Sequence, residues 1–306
     1  MSTFLGLPAI PLDAVSAGDI VIVGARDATP YERAKPSHAA LAPQAIRSAS
    51  ARYASWHQHH DFDSDGPMLD LTRCRVVDAG DIATDPATPG DNRRAIEAAV
   101  RQVLQARATP AVLGGDDSVP IPVLAAYAGH GPIWIVQVDA HIDWRDERHG
   151  ERMGWSSPMR RASEMPWVEG IVQIGARGVG SAQADDVSAA RNWGASIVTA
   201  RHVHAHGIGA ALEKIPEGAK TFITFDCDAV DPSLMPGVGA PLPGGLGYWH
   251  VVALFEGLAA RTRIVGFDIV ELLPERDIGG LSALTATRLV TLAIGAIGRS
   301  TATSVP

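Results

Sequence analysis

The chain of 306 residues is 46% apolar, carries a formal charge of −8 and has two cysteines. It holds no run of eighteen apolar residues that would span a bilayer, and its acidic balance argues against nucleic acid or an anionic membrane as partner while favouring cationic small molecules. The start, MSTFLGLPAIPLDAV, lacks a basic n-region and a long apolar h-region, and two cysteines make no disulfide framework, so the expectation is a soluble cytoplasmic protein.

Taken in order, short β-branched runs alternate with stretches of helical spacing. DIVIVGA (19–25) is the first strand candidate, followed by the helical RRAIEAAVRQVLQA (93–106), then AVLGGD (111–116) and the helical VLAAYAG (123–129). IWIVQVDAH (133–141), IVQIGARG (171–178), SIVTA (196–200) and FITFDCD (222–228) follow as strands, then the helical YWHVVALFEGLAA (248–260) and the strand RIVGFDIVEL (263–272). This alternation predicts a parallel sheet covered by helices on both faces. No repeat, low-complexity tract or linker divides the chain, so residues 1–306 are read as one α/β domain.

In such sheets ligands bind beyond the carboxyl ends of the strands, and there this chain places acid. VLGGDDS ends in Asp116 and Asp117. VDAHID puts Asp139, His141 and Asp143 at alternating positions, and a chain leaving a strand at period two aims all three to one side. FDCDAVDP repeats the spacing with Asp226 and Asp228. Taken alone, Asp116 and Asp231 read as turn formers, with Asp116 capping the segment after Ser118. Together, five carboxylates and one imidazole at one edge would repel each other severely unless cations sat among them. That oxygen-rich set is too large for one catalytic zinc and suits two hard or borderline ions such as Mn²⁺.

GGDDS, DAHID, FDCDAVDPSLMPGVGAPLPGGL and VGFDIVELLP resemble, in order, the four signature segments of the ureohydrolases, the family of arginase, agmatinase and formiminoglutamase, over about Pro43 to Val290. The resemblance implies a three-layer αβα fold with a parallel sheet of about eight strands and a centre of two divalent metals, Mn²⁺ first and Ni²⁺ or Zn²⁺ as alternatives. It implies hydrolysis of a small cationic guanidino compound to urea and an amine by a hydroxide bridging the metals. By position, Asp139 and Asp226 would bridge both ions, Asp117 and Asp143 would complete metal A, and His141 and Asp228 metal B. Glu271 would hold the guanidinium, and Asp143 would take the nucleophile's remaining proton. A homo-oligomer, trimer or hexamer, is expected. The alternative is a silent partner subunit of a mixed oligomer. A one-metal deacetylase centre on the same fold leaves Asp228 and VELLP without a role.

Two positions depart from the family pattern. Asp117 stands where a histidine is usual, which makes the centre about one charge more negative and a bound water harder to deprotonate. Trp155, in RHGERMGWSSPMRRA, stands where the family places the histidine assigned to proton transfer; His149-Gly150 lies six residues early. Trp155 is read as an apolar wall, with Trp144 beside it, and Ser156 or Ser157 as substitute proton donors. Arg177, in GARGVGSAQADD, is available for a substrate carboxylate or for bracing the loop. Cys227 is read as core, Cys74 as inert, and His57, His59 and His60 as a solvated loop. Agmatine, a guanidino acid, an alkylated guanidine or a biguanide all remain open as substrate.

Overall fold

Continuous burial of a β-branched run requires cover on both faces of a sheet, and residues Ile20–Ala25 are buried at every position. The computed structural model, which describes residues 2–32 and 34–302, places this run as β1 of an eight-stranded sheet. The others are β2 (Val76–Asp81), β3 (Thr109–Gly114), β4 (Ile133–Val138), β5 (Val168–Ile174), β6 (Ser196–Val198), β7 (Lys220–Asp226) and β8 (Arg263–Val270). Their order is β2-β1-β3-β8-β7-β4-β5-β6, and every pair is parallel.

That order locates the site. The chain lays down β1 to β3 on one side, crosses to β4, β5 and β6 on the other, and returns to fill the middle with β7 and β8. The four central carboxyl ends therefore belong to β3, β8, β7 and β4, the strands that run into Asp116 and Asp117, Glu271, Asp226 and Asp139. This is the switch point at which open parallel sheets bind ligands.

Alternation along each strand feeds two cores. Ile20 and Ile22 face a layer formed by helices Ala42–Ser50, Tyr248–Arg261 and Leu281–Ala302, while Val21 and Val23 face Pro89–Gln105, Pro120–Ala125 and Ala184–Trp193. The result is the expected three-layer α/β arrangement. By length and composition the stretch Leu281–Ser300 could cross a membrane, with mean hydropathy 1.5. However, 72% of it is buried within the fold, and Leu289, Val290 and Ile294 pack in the core.

Several elements were missed by the pattern reading, among them helices Ala42–Ser50 and Ala184–Trp193, strand β2 and the last helix. Strand β2 carries Asp78 and Asp81 in its apolar run because buried Arg47 pairs with both, its Nε 2.8 Å from Asp78 Oδ2. The last helix is diluted by Thr, Ser and Gly, several of which bond back to carbonyls of the preceding turn, as Thr287 and Thr291 do.

One glycine ties the strands to the site. Gly115 donates to Ala25 O at 2.7 Å and accepts from Glu271 N at 2.8 Å, and a Cβ there would lie 2.0 Å from Arg26 O. Gly115→Ala should therefore cost about 1–3 kcal/mol in denaturant unfolding. Gly209→Ala, where nothing lies within 4 Å, should change stability by less than about 0.5 kcal/mol.

Candidate metal centre

Where β4 ends, the backbone is bent by the side chains it presents. Asp139 Oδ1 accepts from His141 N at 2.6 Å, closing a tight turn, and Asp143 follows with a left-handed φ of 42°. Gln137, one turn of pleat below, donates to Asp139 Oδ2 at 2.8 Å and to Asp143 Oδ2 at 2.7 Å. Gln173 on β5 fixes that amide at 2.6 Å. The β7 segment is linked to the β4 segment in the same way: Asp226 Oδ1 accepts from Asp228 N at 2.7 Å, and Asp228 Oδ1 accepts from Ala140 N at 3.1 Å. Across the site, Asp117 N donates to Glu271 Oε1 at 2.9 Å, and Glu271 is itself left-handed, with φ 65°.

Two donor triplets result. Atoms of Asp139, His141 and Asp228 lie within 4.8 Å of one another, as do those of Asp117, Asp139 and Asp143, so Asp139 is common to both. Asp226 lies outside both triplets but lines the same cavity. All five aspartates are buried, none more than 7% exposed.

The electrostatic consequences are large. Burial, then the charges of Asp143 and Asp139, push the Asp117 carboxyl well above the usual range. Burial, then Asp139, does the same to Asp143, and burial, then Asp228 and Asp139, to Asp226. Burial opposes the charge on His141, but contacts with Asp139 and Asp228 prevail and push it up to about 12. Burial likewise works against an ionised Asp139, yet the hydrogen bond with His141 keeps it low.

The residues fit divalent cations. The donors are carboxylate oxygens with one imidazole, the set expected for hard or borderline ions. Asp117 Oδ2 is buried and has no hydrogen-bond partner, as a ligand atom aimed at an ion would be.

Above these groups lies a cavity of about 460 Å³, lined by Asp117, His141, Asp143, Asp226, Asp228 and Glu271 on its floor and by His38, Arg148, Trp155, Ser156 and Arg276 among its walls. Trp155 packs on Tyr31 with ring centroids 4.0 Å apart, and Tyr31 closes on Gly154, where a Cβ would meet its ring at 2.1 Å. Arg148 lies over the ring of Tyr31, 5.2 Å from its centroid. His38 Nε2 stands 2.6 Å from Glu271 Oε2. His38 and Tyr31 were missed because neither belongs to a motif, and Arg148, although it opens RHGERMGWSSPMRRA, was not singled out there; their proximity to the site is a product of the fold.

Other expected residues lie elsewhere. Trp144 is not a cavity wall: it is 2% exposed in the core, against Trp193. Ser157 is fully buried and does not line the cavity, whereas Ser156 does and bonds Tyr31 at 2.5 Å. Arg177 braces its loop, most of its guanidinium donors taken up by the carbonyls of Leu242, Asp228 and Ala229, and it does not line this cavity. His149 is exposed at a turn, with φ 54°, and is not among the cavity residues. Asp116 caps Ser118, accepting from its backbone N at 2.9 Å. Cys227 is core. Among the described residues no group of potential metal donors includes His57, His59 or His60.

Residues 18–295 match the Arginase family. The chain belongs to that family. It is 35% identical over 301 residues to the proclavaminate amidinohydrolase of Streptomyces clavuligerus, covering 94% of this chain and 90% of that protein. To the agmatinase of Pyrococcus horikoshii it is 30% identical over 295 residues, covering 95% and 96%. The solved structure of proclavaminate amidinohydrolase from Streptomyces clavuligerus superposes with a TM-score of 0.84 at 29% identity, covering 98% of each chain.

The raised carboxyls hold protons that a cation must displace, so metal uptake should release protons and weaken as pH falls, measurable by calorimetry in buffers of different ionisation enthalpy. Metal-free protein binds those protons more tightly folded than unfolded. Its stability should therefore fall as pH rises above the ordinary carboxylate range, and added divalent metal should abolish that fall. Asp139→Asn, which alters the residue common to both triplets, should lower metal content at both sites by elemental analysis, whereas His141→Ala should spare one.

Proposed function

We propose that the protein is a dinuclear-metal amidinohydrolase that splits a small guanidino compound into urea, or a urea derivative, and an amine. The observation that carries this reading is Glu271: a buried carboxylate, outside both donor triplets, that lines the cavity beside four aspartates. A carboxylate so placed suits the planar, bidentate donors of a guanidinium. Asp117, Asp139 and Asp143 would hold one ion and Asp139, His141 and Asp228 the other, with Asp226 shared between them and Mn²⁺ as the first choice. Bound there, two such ions supply a nucleophilic water at neutral pH and stabilise developing negative charge. Glu271 would orient the guanidinium, Asp143 would accept the nucleophile's remaining proton, and Gln137 keeps Asp139 and Asp143 in place.

The walls select the tail. Trp155 presents apolar ring surface backed by Tyr31, and Arg148, stacked on Tyr31, has no ion pair among the described residues. An ammonium tail such as that of agmatine would be repelled by Arg148 and desolvated against indole. A short uncharged tail meets neither penalty, and a carboxylate-bearing tail, although it too must shed water, can pair with Arg148.

Protein loaded separately with Mn²⁺, Ni²⁺ and Zn²⁺ and offered a panel of guanidines should release urea, with kcat/KM at least about tenfold higher for carboxylate or short alkyl tails than for agmatine, a difference of about 1.4 kcal/mol. Arg148→Gln should narrow the gap between carboxylate and ammonium tails. Agmatine as the best substrate, with Arg148→Gln neutral, would contradict the tail assignment; no urea from any guanidine with any metal would contradict the hydrolase assignment. Asp117→His, which removes one negative charge, should keep the metals and move the rising limb of the pH–rate profile to lower pH.

A further inference from the structure

The reading above leaves one proton unassigned. An alkylamine departing as its anion is far too basic to be expelled near neutral pH, so the breaking C–N bond needs an acid at nitrogen. The indole of Trp155 cannot serve, the hydroxyls of Ser156 and Tyr31 share one hydrogen bond that leaves at most one free proton between them, and His141 is held between Asp139 and Asp228, 3.1 Å from the latter. The remaining imidazole lining the cavity is His38.

We propose that His38 protonates the departing amine, an inference that rests on the guanidine-hydrolysis reading. Its Nε2 lies 2.6 Å from Glu271 Oε2, so it sits within hydrogen-bond reach of the position where a guanidinium held by Glu271 places its nitrogens. Its ring stands edge-on to Trp155, centroids 4.8 Å apart and planes at 81°, so the indole packs directly on this imidazole and restricts its rotation. The backbone beneath is fixed. Ser37 N donates to buried Asp27 at 2.5 Å, and Arg26 Nε donates to Ala40 O at 3.2 Å. With 32% of its side chain exposed, His38 can be recharged from solvent.

The charges around it suit an acid. Burial opposes protonation and so does Arg276. Glu271 and then Asp116 favour it, and the result is pushed up to about 8. Tyr31 and Trp155 contribute neutral rings, and Arg148 lies beyond Tyr31. As the tetrahedral adduct of water and the guanidinium carbon collapses, the C–N bond breaks and its electron pair stays on the amine nitrogen. That nitrogen takes the proton from His38 Nε2, and the neutral imidazole regains one from water.

His38→Gln keeps a donor facing Glu271 but delivers no proton. The test compares kcat and KM of wild type and variant across guanidines whose leaving groups run from alkylamines to electron-poor anilines, with metal content measured for both and the His38 imidazole titrated by NMR in the wild type. Expected are a kcat loss of about 10²-fold or more for alkylguanidines and little for nitroanilines, KM within a few-fold, equal metal content, loss of the falling limb above about pH 8, and an imidazole midpoint near that pH. A loss uniform across leaving groups, a loss confined to KM, a midpoint below about 6.5, or a variant as fast as wild type would each overturn the proposal while leaving the hydrolase reading intact. No urea from wild-type protein would overturn both.

Discussion

Everything at the carboxyl edge of this sheet follows from one electrostatic constraint. Asp117, Asp139, Asp143, Asp226, Asp228 and Glu271 are all at least nine-tenths buried, and all but Asp139, which lies within 4.8 Å of Asp117, Asp143 and Asp228 donor atoms, line one cavity. Desolvation and mutual repulsion make full ionisation of such a group prohibitive, so either protons or cations must occupy it. Strand order creates the constraint: because β7 and β8 are inserted last between β3 and β4, four acid-bearing ends from distant parts of the chain become neighbours.

The backbone around the site is shaped to tolerate that crowding. Asp143 and Glu271 both adopt left-handed φ, an unfavourable conformation for side chains of their size, and both are held from outside. Glu271 N is fixed by Gly115 O at 2.8 Å, and Asp143 O accepts from Met159 N and Arg160 N, each at 3.2 Å. The Gln173 to Gln137 relay then fixes the side-chain oxygens. Such preorganisation keeps the donor atoms in place before any ion arrives.

What the sequence revealed and what it concealed divides along range. Acids two residues apart at strand ends are a local pattern with period two, so the metal-binding candidates, the parallel sheet and its double helical cover were legible. Asp117 was legible as a departure because the surrounding glycines and serine fixed its place. The cavity walls were not. His38 and Tyr31 reach the site from a loop more than two hundred residues before Glu271, with no spacing rule linking them. Trp144 and Trp155 look alike in sequence, and only packing sends the first into the core and the second to the cavity. Arg177 appeared available until the carbonyls of the 228–242 segment were seen to use its donors. Strand β2 escaped because its acids are paid for by Arg47 rather than by solvent.

The central claim is that these acids hold two cations joined by shared carboxylates. Electron paramagnetic resonance on protein titrated with Mn²⁺ tests it directly. Shared ligands should give an exchange-coupled multiline spectrum that grows in as loading approaches two ions per chain and collapses in Asp139→Asn. Saturation at one ion per chain with an uncoupled six-line spectrum would contradict the account.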